Sequence, residues 1–288
     1  MTRPTPRCED RDRAEAPQDD LPAGINEREV EDIEERARLR TPVIYEIVRR
    51  EGQTEMERPL FSLWWSGVAA GVSISFSLLA EAVLHMHLPA ARWQPLVSSF
   101  GYSIGFLIVV LARQQLFTEN TVTVVLPVIA DFTPHNLRRL ARMWSIVFAA
   151  NMAGTLLAAI FCTVTPAISP ELRAAMLEIS HSLIELGWNE MLFRGIGAGF
   201  LIAAMVWLIP SAEGAQFLVI TMNTYVIAIA GFTHIVAGSV EGFMLVLNGR
   251  WGLWQMLAGF TVPVLLGNVI GGTALFAVLS YAQVMKEM

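Results

Sequence analysis

From Leu60 onward the chain is a series of apolar runs, at 61–86, 95–131, 140–166, 190–210, 216–248 and 252–282. Crossing the hydrocarbon core of a bilayer takes roughly 20 apolar residues in a helix. Runs of this length therefore predict an all-α integral membrane body. Two of them, 95–131 and 216–248, are too long for one helix and are broken by polar residues. The first breaks at Arg113-Gln-Gln-Leu-Phe-Thr-Glu-Asn120 and the second at Gly231-Phe-Thr-His234. Six spans are expected, two of them broken. A domain map follows: a tail over 1–58, a six-span pore domain over 59–284, and a short C-terminus over 285–288.

Charge separates the tail from the body. Residues 1–58 hold 27 of the 46 charged side chains, 11 Arg against 16 Asp/Glu, so most of the net charge of −6 belongs to the tail. Residues 1–25 are rich in charge and proline and are expected to be disordered. Residues 26–40 read as a charged helix with Asn26 as N-cap. Val43, Ile44, Ile47 and Val48 form an amphipathic stripe, set either on the membrane surface or against the body. The arginines are interleaved with more acids, so no nucleic-acid patch is expected. Cys8 and Cys162 sit in unlike surroundings and imply neither a disulfide framework nor a metal cluster. No HExxH motif is present, and neither an enzyme nor a cofactor is expected.

Tryptophans at 64, 65, 93, 144, 188, 207, 251 and 254 fall near span ends, where an amphipathic ring suits the headgroup level. Arg49, Arg50, Arg58, Arg138, Arg139 and Arg142 lie on one side of the six-span layout, and Arg92, Arg173 and Arg250 on the other. The positive-inside rule then puts both termini in the cytoplasm of a cell whose inner membrane holds the protein.

With three spans per half, the second half runs upside down relative to the first. Phe117-Thr118-Glu119 marks one break and Phe232-Thr233-His234 the other. Interrupted segments in corresponding places of inverted halves point to a transport site. The half-helices that follow, 121–131 and 235–248, begin with amides that lack intrahelical partners and attract anions. A histidine is the side chain type suited to exchanging a proton at physiological pH, which makes His234 the candidate proton-exchanging group. Arg113 and Glu119 are candidates to pair with each other, as are Arg194 and Glu190 at i, i+4 spacing. Glu81 and Glu241 read as packing or subunit-contact residues. The runs Gly67–Gly71, Gly195–Gly199 and Gly271-Gly272 predict close helix packing.

Leu116-Phe117-Thr118, Gly231-Phe-Thr-His234 and Met205-Val206-Trp207 together resemble the formate/nitrite transporter family over about 60–284. Tyr45-Glu46-Ile47-Val48-Arg49-Arg50 and Ser62-Leu63-Trp64-Trp65-Ser66-Gly67 are similar to its YfdC-type branch. The resemblance implies a homopentamer with an aquaporin-like protomer and one pore per protomer. A weak-acid anion would gain a proton and cross as the neutral acid. It matches Thr118 and His234 to a central pair, with Glu119, Asn120 and Thr233 beside them. By position, Leu116, Phe117, Phe106 and Ile202 would line one apolar slit, and Tyr102 and Ile227 the other.

One departure bears on the solute. The family usually has a lysine near the outer vestibule, whereas Lys286 is this chain's single lysine. Glu178, Glu185 and Glu190 occupy that segment, and Glu185 is taken as the equivalent position. A cation or neutral solute on the same scaffold, with Glu185 and Glu119 as attractors, is the alternative.

Overall fold

The computed structural model describes residues 38–287. The expected disordered segment 1–25, Cys8, Asn26 and most of the predicted helix over 26–40 lie outside the described residues. Residues 38–40 are described and are not helical.

Ten helices carry the described chain: α1 (Thr41–Glu57), α2 (Leu60–His87), α3 (Gln94–Leu111), α4 (Val125–Ala130), α5 (Pro134–Val164), α6 (Pro170–Glu185), α7 (Trp188–Ser211), α8 (Gln216–Ile229), α9 (Ile235–Leu247) and α10 (Leu253–Val284). Strands are absent among the described residues. Five helices, α2, α3, α5, α7 and α10, are long and apolar enough to cross a membrane. Their outer faces stay apolar, as Phe61 and Phe193 illustrate, which suits lipid rather than water.

Local chemistry sets the helix ends. Pro42, Pro134 and Pro170 sit in first turns, where a missing amide costs nothing. Thr133 and Ser169 accept from the amides of Asn136 and Leu172, both at 3.2 Å. Helix α6 is an addition to the expected layout, which left its residues as a loop. The half-helix expected from 121 is also altered. A tight turn occupies Glu119–Thr121 and regular α-helix begins only at Val125.

Helix α1 packs against the body through Tyr45, Val48, Gly52 and Met56, so that Val48 is the one residue of the expected stripe that is fully buried. Tyr45 and Val48 join Val122, Val125 and Leu126 in one apolar cluster, so α1 lies on the segment after the first break. The small-residue runs do bring helices together. A Cβ on Gly71 would run into the Asn151 carbonyl of α5, and one on Gly199 into the Asn268 carbonyl of α10. Trp144 departs from the span-end reading: its indole turns inward and donates to the Asn120 carbonyl at 3.1 Å.

Candidate functional site

Both breaks are built by the same backbone device. At the end of α3, Arg113 N–H donates to Val110 and Gln114 N–H to Val109, at 3.0 and 2.9 Å. At the end of α8, Gly231 N–H donates to Ala228 and Phe232 N–H to Ile227, also at 3.0 and 2.9 Å. The residue that turns each corner is left-handed, with φ of 52° at Arg113 and 63° at Gly231. These are Schellman closures, which satisfy the last carbonyls of a helix through a left-handed residue. Glycine adopts that conformation freely, whereas a side chain there costs about 1–2 kcal/mol.

An asparagine then holds each loop. Asn151 of α5 donates to the carbonyls of Gly67 and Gln115, both at 2.8 Å, and accepts from Phe117 N–H at 2.9 Å. Asn268 of α10 donates to the carbonyls of Gly195 at 2.8 Å and Thr233 at 3.0 Å, and accepts from Ile235 N–H at 2.8 Å. Both asparagines are fully buried. Each satisfies one carbonyl and one amide of an unwound stretch, which apolar surroundings demand, and ties it to a carbonyl of a neighbouring helix. Sequence reasoning passed over both residues. Their signal is an asparagine inside an apolar run followed three residues later by glycine, Asn151–Gly154 and Asn268–Gly271.

The two loops meet through side chains. Thr118 Oγ1 and His234 Nε2 lie 2.8 Å apart, both buried. His234 also caps α9, its Nδ1 accepting from Ala237 N–H at 3.2 Å. An amide can only donate, so neutral His234 carries its hydrogen on Nε2 and gives it to Thr118. The Thr118 hydroxyl hydrogen is then left to point elsewhere. Phe106 stands edge-on to the imidazole, centroids 5.0 Å apart, and Tyr102 packs against Phe106 at 5.2 Å. Phe117 faces the other way, against Trp144 and Phe148. Leu116, Ile202 and Ile227 are buried in the same apolar cluster.

A cavity of about 320 Å³ has His234 and Thr233 on its wall, with Tyr102, Glu81, Glu241, Glu185 and Arg194. Thr233 donates its hydroxyl to the Met191 carbonyl at 2.9 Å. Glu185 stands at the wet end of the cavity, its side chain 72% exposed and 4.0 Å from His181. Glu81 and Glu241, expected to serve packing, face this cavity instead.

A second cavity, of about 110 Å³, touches Glu119, Asn120, Arg113, Gln115, Glu51 and Glu55. Asn120 donates to Gln115 Oε1 at 3.1 Å, and Gln115 donates to Glu55 at 2.6 Å. Two expected ion pairs do not form. Arg113 reaches Glu51 of α1 at 2.9 Å, because its left-handed backbone turns it away from Glu119. Glu119 Oε1 is buried without a hydrogen-bond partner among the described residues. Glu190 accepts from Gly187 N–H at 2.9 Å, and Arg194 donates to the Gly231 carbonyl at 3.3 Å. The start of α7 claims the carboxylate for its own orphan amide, leaving the guanidinium free to brace the second break.

The described body is helical and of membrane type, with two clamped helix breaks that meet at a buried Thr–His pair. Residues 42–282 match the family described as formate/nitrite transporter, and the chain belongs to that family. It is 39% identical to the Inner membrane protein YfdC of Escherichia coli (strain K12), over 97% of this chain and 91% of that protein. It is 24% identical to the Formate channel FocA of Haemophilus influenzae, over 75% of this chain and 84% of that protein. In fold it matches a solved "Pentameric formate channel with formate bound", with a TM-score of 0.69 at 18% identity, covering 79% of this chain and 98% of the other. As a member of this family the chain is a membrane transporter or channel.

Proposed function

We propose that the chain is a pore for a small weak acid, which passes between the two breaks at Thr118 and His234. The carrying observation is the 2.8 Å bond between those side chains, with one cavity reaching His234 and another reaching Glu119 beside Thr118. In this reading α3 and α4 form one broken span and α8 and α9 another, completing six spans in two inverted halves. Both termini are cytoplasmic. Five copies assemble in a bacterial inner membrane, as the pentameric relative in fold and the YfdC name suggest.

The mechanism follows from the hydrogen bonding. His234 donates to Thr118, so the Thr118 hydroxyl is free to donate to an oxygen of the passing solute. Leu116, Phe117, Phe106, Ile202, Tyr102 and Ile227 form the dry walls on either side. A bare anion would forfeit several kcal/mol of hydration between such walls, whereas the neutral acid forfeits far less. Asn120 and Thr233 serve as polar stations, and Glu119 and Glu185 shape the field at the two approaches.

A second reading is a cation or neutral solute. One observation favours it: three carboxylates, Glu81, Glu185 and Glu241, face Arg194 across one cavity. Flux into proteoliposomes separates the readings. Formate, nitrite and acetate are expected to enter faster than into empty vesicles, and ammonium and potassium are not. His234→Asn is expected to lower the rate at least tenfold. No solute moving above background overturns the pore, and cation flux alone overturns the weak-acid reading.

A further inference from the structure

A weak acid that crosses as the neutral molecule needs a proton, and the geometry leaves His234 poorly placed to give one. Its Nδ1 is taken by the Ala237 amide, and its Nε2 hydrogen is committed to Thr118. Acting as an acid would require Nδ1 to be protonated against an N–H donor, at the expense of the cap that starts α9.

The wall of the larger cavity offers other groups. Glu81 of α2 and Glu241 of α9 face the same space, together with Tyr102 of α3. Among the described residues neither carboxyl group has a hydrogen-bond or ion-pair partner. Tyr102 is 7% exposed, lines the cavity, and its hydroxyl finds no protein partner there either. The other charged or titratable groups on this side are Arg194 of α7, His234, and Glu185 of α6 beside His181. His85 and Glu178, 3.6 Å apart, join α2 to α6 further out. A guanidinium to hold an anion and a pair of unpartnered carboxyl groups thus share one cavity with His234.

We propose that Glu81 and Glu241 are the proton-donating pair for the solute, with Arg194 holding the anion while the proton is passed. In the transfer, the O–H bond of one carboxyl group breaks and an O–H bond forms on the anion. The neutral acid leaves toward Thr118, and the pair is left with one more negative charge. Water entering past Glu185 returns the proton. The assignment rests on the weak-acid reading for its substrate.

Two measurements test it on the full chain. The infrared spectrum of the solubilised protein at pH 7 is expected to hold a protonated carboxylic C=O band that is lost in E81Q/E241Q. Formate uptake into proteoliposomes at pH 7 is expected to fall at least tenfold in E81Q/E241Q, and to recover to within threefold of the unaltered protein at pH 5, where the bulk supplies formic acid. A variant that merely misfolds would not recover at pH 5. An unchanged band, or an unchanged pH profile of uptake, overturns the donor role while leaving the pore intact. A band that disappears as expected, in a protein that moves no formate, nitrite or acetate at any pH, overturns the weak-acid reading and the donor role together.

Discussion

The two breaks share a frame and differ at the tip. Arg113 and Gly231 turn the same corner, and Asn151 and Asn268 bond the same backbone groups around it. In that frame the residue between the clamped carbonyl and the clamped amide is Leu116 in one loop and His234 in the other. The sequence match of Phe117-Thr118 with Phe232-Thr233 is therefore out of register with the backbone. Thr118 lies one residue beyond the clamped amide of Phe117, just before the tight turn that delays α4, and that displacement brings it to His234. Equal scaffolds with unequal tips produce one heterogeneous hydrogen bond at the meeting point, where identical tips would place two like groups.

The surroundings differ as well. The first loop leans on α1, through Glu51 and Arg113 and through Glu55 and Gln115, while the second opens onto the carboxylate-lined cavity. The shared frame predicts equal damage from equal substitutions, and the unequal surroundings predict where the damage parts.

The largest effects belong to the frame. Asn151→Leu and Asn268→Leu each strand one loop amide and one loop carbonyl, at about 1–3 kcal/mol per buried group. Both are expected to lower the thermal midpoint of the solubilised protein by similar, large amounts. A marked difference between them would break the equivalence of the two clamps.

Next come the tips. Thr118→Val is expected to cut formate flux at least tenfold, while Thr118→Ser keeps most of it, since serine retains the hydroxyl that accepts from His234 and donates onward. Equal flux in the valine and serine variants would remove the hydroxyl from the mechanism.

The corners should respond unequally. Gly231→Ala forces a side chain into the left-handed region at about 1–2 kcal/mol. Arg113→Gly relieves the same strain and gives up only an exposed ion pair worth about 0–1 kcal/mol, so its midpoint should stay near that of the unaltered protein. Loss of stability in Arg113→Gly as great as in Gly231→Ala would mean that the Glu51 contact outweighs the backbone.

The smallest effect lies on α1. Arg49 and Arg50 hold the Glu46 carboxyl at about 2, well below its usual range, chiefly through the Arg49 hydrogen bonds at 2.7 and 2.9 Å. A depressed folded value stabilises α1 above the unfolded carboxylate value of about 4.3, and that stabilisation is lost as pH falls toward about 2. Amide exchange in α1 should therefore rise between about pH 4 and 2 in the unaltered protein, and Glu46→Gln should flatten that rise. An acid response unchanged by Glu46→Gln would assign it to other carboxylates.

Much of this frame is legible in the sequence. Long apolar runs give α2, α5, α7 and α10 to within a few residues, polar interruptions give both breaks, and glycine runs give the close packing. Other features depend on direction, which apolar runs conceal. A helix apolar all round carries no amphipathic signal for which face looks inward, so Glu81 and Glu241 read as packing and Trp144 as a belt residue. Arg194 and Arg113 were paired with sequence neighbours, whereas a helix start claimed Glu190 and a left-handed corner swung Arg113 to α1. Asn151 and Asn268 were visible as polar residues in apolar runs, and their meaning needed the loops they hold.

Passage of solute between the two breaks at Thr118 and His234 can be blocked chemically with Thr118→Cys, in a chain whose Cys8 and Cys162 are replaced by serine and alanine. After reconstitution, formate flux is measured before and after a small methanethiosulfonate reagent, with modification verified by mass. Measurable flux is expected before modification, near-complete block after it, and recovery when a reductant removes the adduct. Undiminished flux through fully modified protein would contradict passage between the breaks.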